Sequence, residues 1–184
     1  MEHFPVKRLE AETIRDSILK ICGTLDEAQF GPAQQIEEDE TGQVIATGTK
    51  QRRSVYIQVR RTKPVAMLQS FDAPVMETNC AKRQSSTVAM QSLMLMNSKF
   101  IVDVSNALAD QLTGSNANTD DLINSTWKAI YCRPASDEEL ESSQRFITQQ
   151  ITLLESKKTV SPKRQAIANL VQALFSSNEF LYVD

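Results

Sequence analysis

The stretch from Asn79 to Leu112, NCAKRQSSTVAMQSLMLMNSKFIVDVSNALADQL, sets the strongest limit on what this chain folds into. It opens on polar and cationic residues and then turns apolar at helical spacing. Val88, Met90, Leu93, Met94, Met96, Phe100, Ile101, Val104 and Leu108 form one wide face. A helix apolar over so much of its girth is expected to be buried, so other segments must wrap it. Asn97-Ser98 interrupts the pattern, either as a polar contact inside the core or as a break into two helices. Ser85, Ser86 or Thr87 would supply the N-cap oxygen.

The flanking segments also read as helices. From Lys7 to Leu25, the residues Leu9, Ile14, Ile18, Ile21 and Leu25 form one apolar stripe. Arg8, Glu12, Arg15, Asp16 and Lys20 fall mostly opposite, and Gly23 helps to close the helix. Gly31-Pro32 marks a break. Pro64 starts one or two helical turns in VAMLQSF. Leu122, Ile123, Trp127 and Ile130 are the buried side of a helix capped by Thr119 or Asp120 and ended at Arg133-Pro134. Ser136 with Glu139 fits a capping box, so a new helix begins at Asp137. Lys163–Ser177 forms the last helix, with Ile167, Leu170, Val171, Leu174 and Phe175 inward. The tail, NEFLYVD, carries apolar and aromatic residues and is expected to dock.

One segment departs from the helical period. Gln43–Val59 reads as a β-hairpin inserted at about residues 43–60. In SVYIQV, Val55, Ile57 and Val59 alternate with Tyr56 and Gln58. The acidic run at 37–40 is a solvated loop tip, and its ligand spacing is not that of a calcium-binding loop. The fold expected is therefore mainly α, a helical bundle around a central buried helix with one β-hairpin, in a single domain spanning 1–184.

Little in the chain points to chemistry. The net charge of −3 gives no global pull toward nucleic acid or anionic membranes. No apolar run reaches the roughly 20 residues of a membrane span. His3 is the only histidine, so neither a histidine-based nucleophile nor a Cys/His zinc site is expected. No cofactor and no metal-ligand set is read from the residues. Cys22, Cys80 and Cys132 are packing thiols in the plainer reading, with one disulfide as the other. Cys80 beside Lys82 and Arg83 has the surroundings of an activated thiolate. Asp72, Asp103 and Glu179 sit among apolar neighbours that would raise a carboxyl pKa, against the plainer reading of exposed or ion-paired acids. Lys50, Arg52, Arg53, Arg60, Arg61 and Lys63 flank the expected hairpin with no acid between them. They either contact an anion or pair with carboxylates of the same fold, the acidic run included.

Several motifs in order carry a family resemblance. RRSVYIQVRR (Arg52–Arg61) matches a pattern RRSVY-x-x-x-RR, and FDAP (Phe71–Pro74) follows. Cys80, Arg83, Thr87, Gln91, Leu93 and Asn97 match a C-x-x-R-x-x-x-T-x-x-x-Q-x-L-x-x-x-N run. Tyr131-Cys132-Arg133-Pro134 with Glu138-Glu139-Leu140, and NEFLYVD (Asn178–Asp184), complete the set. The chain resembles the later part of a C-terminal domain of unknown function in large planctomycete proteins. That domain follows planctomycete cytochrome C-type and associated domains. Ala89 and Ser92 depart from the family's proline and alanine, which alters helix entry.

The resemblance implies an exported protein, periplasmic or secreted, with its signal upstream of Met1. Its partners would be upstream domains of the same polypeptide, a c-type cytochrome domain among them. The leading expectation is a non-catalytic module that packs against or positions those sister domains. The alternative is a fragment of an enzyme acting on an extracellular polymer or polyanion. In both, Arg52, Arg53, Tyr56, Arg60, Arg61 and Arg83 are the contact residues. Nucleic-acid binding through the basic hairpin ranks behind these.

Overall fold

The computed structural model describes residues 6–48, 50–74, 86, 89–114 and 118–183. Among these, 58% are helical, as a mainly α fold requires. The chain divides into two compact units, Met1–Leu95 with Leu181–Asp184, and Met96–Phe180.

The first unit is built on β1 (Lys7–Arg8) and α1 (Ala11–Ile21), which buries Ala11, Ile14, Arg15, Ile18 and Leu19. Glu12 in the first turn and Lys20 in the last complement the helix dipole. The helix is shorter than the apolar stripe suggests. Gly23, at φ 66°, takes the left-handed conformation that ends it, and the Thr24 amide closes back on the Leu19 carbonyl at 3.0 Å. β2 (Leu25–Asp26) then pairs in parallel with β5 (Gln51–Arg52). Between them, β3 (Ile36–Glu38) and β4 (Val44–Ala46) form an antiparallel hairpin in the register Ile36↔Ala46. Its turn is set by Asp39, whose Oδ1 accepts the Thr41 and Gln43 amides at 2.9 Å each. Ile36, Val44 and Ala46 bury together with Ile57 and Val65, and Leu68 of α2 (Ala66–Ser70) packs on them. β6 (Tyr182–Val183) pairs antiparallel with β1, so the tail is docked.

Three expectations are corrected here. The hairpin spans 36–46, not 43–60, and Glu37 and Glu38 are strand residues rather than a loop tip. SVYIQV is extended only in part: Ser54–Tyr56 is a 3-10 turn, Ile57 is extended and bridges Gln34 in parallel, and of the three alternating aliphatics Val55 and Val59 are exposed while Ile57 is buried. The cause is Asp16, whose Oδ1 accepts both the amide (2.8 Å) and hydroxyl (2.7 Å) of Ser54 and draws the backbone into a turn. Arg8 and Arg15, expected on the wet side, are 7% and 2% exposed. Arg8 donates to the Phe71 carbonyl (3.1 Å) and to Asp72 Oδ2 (2.7 Å), while Asp72 also accepts the Ser86 amide and hydroxyl at 2.8 Å each. Ser86 thus serves Asp72. Ser85, Thr87 and Val88 lie outside the described residues, as do His3, Cys80, Lys82 and Arg83.

The boundary between the units falls inside α3 (Ala89–Asn97). The Asn97-Ser98 interruption is a break into two helices, because the Ser98 hydroxyl accepts the Ile101 amide and caps α4 (Lys99–Thr113). α4 buries Ile101, Val104 and Leu108 as the pattern predicts. The same apolar face does not continue into α3, where Gln91 and Leu95 are buried while Met90, Leu93 and Met96 are exposed.

In the second unit, α5 (Thr119–Tyr131) is capped by Asn118 rather than by Thr119 or Asp120, and buries Leu122, Ile123, Trp127 and Ile130. α6 (Asp137–Ser156) starts on the expected Ser136–Glu139 capping box. α7 (Pro162–Phe175) packs against α4, α5 and α6. Its Ala166, Ile167, Val171 and Phe175 are fully buried, making it the best-covered helix of this unit. α8 (Asn178–Leu181) follows.

Arg133 ties this unit together. Its guanidinium grips Glu139 through two bonds of 2.8 and 2.9 Å and Glu179 through two of 2.9 and 2.8 Å, with Trp127 and Tyr131 rings 5.0 and 5.8 Å away. The hydrogen bonds from Arg133, helped by the Ser136 amide, hold the Glu139 carboxyl down to about 2. Its unfolded value is about 4.3, so this contribution is fully present above that pH and is lost as pH falls toward 2. Glu139→Gln is therefore expected to remove part of the acid lability below about pH 5, its urea stability converging on wild type near pH 2. Parallel pH curves for the two proteins would exclude it.

Candidate functional site

An open cleft of about 1200 Å³ lies wholly within the first unit. One wall is α1, presenting Thr13, Asp16 and Ser17; the facing wall is the chain from Arg53 to Arg61. Val65 and Leu68 add apolar lining.

The wall at 53–61 stands where it does because of two arginines. Arg15, beneath it, donates to Gln51 Oε1 (2.6 Å), the Arg52 carbonyl (3.0 Å) and Ser54 Oγ (3.3 Å). Burial pulls Arg15 down to about 10, and the neighbouring Asp16 offsets this only in part. Arg52 reaches the other way, donating to the carbonyls of Ala28 (2.9 Å), Pro32 (2.7 Å) and Phe30, with its guanidinium carbon 4.2 Å from the centre of the Tyr56 ring. Both terminal nitrogens are spent on backbone carbonyls, so Arg52 works as a loop clamp.

The other expected contact residues divide clearly. Arg53 is 61% exposed and pairs loosely with Asp16 at 3.5 Å. Tyr56 lines the cleft. Arg60 Nε donates to Gln58 Oε1 at 3.1 Å, and among the described residues neither Arg60 nor Arg61 has a carboxylate partner. Lys63, by contrast, is paired with Glu38 at 2.6 Å, as the reading of cations neutralised by the acidic run expects. Arg83 lies outside the described residues. Sequence reasoning missed Asp16, Arg15 and Ser54, and no local signal marks them, because their partners lie 36 to 39 residues apart.

The acids named from sequence are engaged elsewhere. Burial alone would raise the Asp72 carboxyl, but hydrogen bonds from Arg8 and Ser86 hold it below its usual value, the reverse of what its apolar neighbours suggest. Asp103 pairs with Lys99 at 2.7 Å, and Glu179 belongs to the Arg133 clamp. Cys22 is a buried thiol pushed up to about 12 by that burial, and Cys132 is exposed. Among the described residues, no group of three or more His, Cys, Asp or Glu side chains is placed to hold a metal ion, and no helix is long and apolar enough to cross a membrane.

Among the acids that line the cleft, Asp16 accepts two hydrogen bonds from Ser54 and faces Arg15 and Arg53. Those hydrogen bonds tie the acid to the 53–61 wall. What the arrangement offers is a partly apolar surface edged by Arg60 and Arg61. In comparison with known proteins, the family model described as "PSD1: Protein of unknown function (DUF1553)" matches residues 1–147. No curated protein matches the chain, and no solved structure does.

Proposed function

The chain belongs to the PSD1 family of proteins of unknown function (DUF1553), and we propose that it is a non-catalytic docking module that packs against or positions a neighbouring domain. One observation carries this reading. In the 53–61 wall, Val55 and Val59 stand 75% and 66% exposed beside Arg60 and Arg61, whose charges have no carboxylate partner among the described residues. Exposed aliphatics bordered by arginine are the composition of a contact surface awaiting its partner. Asp16 Oδ1 holds the Ser54 amide and hydroxyl, a structural task that supports a binding role over a chemical one. The motif resemblance supports the setting: a larger exported planctomycete protein, periplasmic or secreted, in which the partner is an upstream domain, a c-type cytochrome domain being one candidate.

The test is to express the natural upstream region separately and titrate it into this chain by calorimetry. Saturable binding is expected, weakened about tenfold or more by Arg60→Glu with Arg61→Glu. Absence of binding to the wild-type chain would overturn the reading.

A second reading is favoured by Arg53, Arg60 and Arg61 sharing one cleft with Asp16: action on an anionic extracellular polymer. It requires new chain ends when the protein is incubated with uronate or sulfated polysaccharides, and their loss in Asp16→Asn. Unchanged polymer length removes it.

A further inference from the structure

We infer that the occupant of the cleft is an acidic polypeptide segment, one whose aliphatic side chains cover Val55 and Val59 while its carboxylates reach Arg60 and Arg61; this rests on the docking reading above. The two arginines beside the exposed valines select the sign. Lys20 is paired with Glu27, Lys63 with Glu38, and Arg53 with Asp16. Glu10 and Glu12 line the cleft from the α1 side and have interactions of their own. Arg60 and Arg61 are the lining cations without a carboxylate partner among the described residues, so the positive charge open to a partner sits at the 60–61 end of the wall. The two valines select the chemistry. A polysaccharide or nucleotide would leave them in water, whereas a peptide carrying Leu, Ile or Val next to Asp or Glu covers both kinds of surface at once. The size of the cleft agrees, since about 1200 Å³ exceeds the usual space for one small ligand. The wall is also held in place before any partner arrives, by Arg15 from below and Arg52 from behind, which lowers the ordering cost of binding.

The experiment uses the full chain and dye-labelled synthetic peptides read by fluorescence anisotropy. One peptide is built from Glu and Leu, a second replaces Glu by Gln, and a third replaces Leu by Ser. Dextran sulfate serves as the polyanion lacking apolar groups. The Glu-Leu peptide is expected to bind, with affinity falling as salt is added. Arg60→Glu with Arg61→Glu, and separately Val55→Ser with Val59→Ser, are each expected to weaken it about tenfold or more. All four positions are exposed, so the variants should fold as the parent does, which circular dichroism verifies. Equal binding of the Gln or Ser peptide, indifference to either double variant, or binding of dextran sulfate in place of the peptide would each overturn the assignment. Retention of the natural upstream region by the arginine double variant would overturn it too, while leaving the docking role standing.

Discussion

Arg15→Ala is expected to cost the first unit about 3–5 kcal/mol, the range found when one partner is removed from a buried charged network. Arg15 is 2% exposed, and its guanidinium is the common donor to the Gln51 side chain, the Arg52 carbonyl and Ser54 Oγ. Alanine leaves those acceptors without the donor they share and opens a void under the 53–61 wall. Lysine restores the charge but not the planar fork that reaches several acceptors at once, so Arg15→Lys should recover only part of the loss. Burial outweighs Asp16 in setting the proton affinity of Arg15, so the cation is held at a cost. Arg15→Met, which fills the space without burying a charge, should therefore be milder than alanine. Urea unfolding gives the size of each effect, and amide exchange across 51–56 gives its location. If alanine costs under about 1 kcal/mol with exchange unchanged, the network does not hold the wall.

Arg15 also marks the limit of what the residues alone could tell. The helices of the second unit were legible because their signals are local. A serine three residues before a glutamate starts α6, and Trp127 lies on the same stripe as Ile123 and Ile130. The first unit is ordered by long-range polar contacts that override local pattern. Asp16 turns the first half of an alternating SVYIQV into a 3-10 turn across a separation of 38 residues. Arg8 and Arg15 are buried because backbone carbonyls and carboxylates from distant segments accept from them. Charge alone places an arginine in water; only its partners reveal otherwise. The candidate site shares this history. Arg53, Tyr56, Arg60 and Arg61 were marked as contact residues by clustered charge, yet the cleft they line depends on the α1 wall, which nothing in their neighbourhood announces. Arg52 belonged to the same cluster and has a different task, clamping the loop that carries Phe30. The signature residues Tyr131, Arg133, Glu139 and Glu179 meet in one stacked ion-pair cluster, which gives those motifs a structural reason.

The methionine-rich stretch offers the sharpest contrast between apolar pattern and burial. Phe175 on α7 is 0% exposed and packs its ring 5.0 Å from that of Phe180. Phe175→Ala is expected to destabilise the second unit by about 3–5 kcal/mol, from lost transfer energy plus the cavity left in a close-packed site. Met90 and Met96 on α3 are 64% and 59% exposed, so truncating either removes few contacts. Alanine is also the better helix former, which offsets part of what is lost. Met90→Ala and Met96→Ala should each stay within about 0.5 kcal/mol of wild type in the same urea titration. Hydropathy ranks all three residues as core, and only coverage by neighbouring helices separates them. Were either methionine variant to lose as much as Phe175→Ala, the α3 face would be covered in solution and would have to count as core alongside α7.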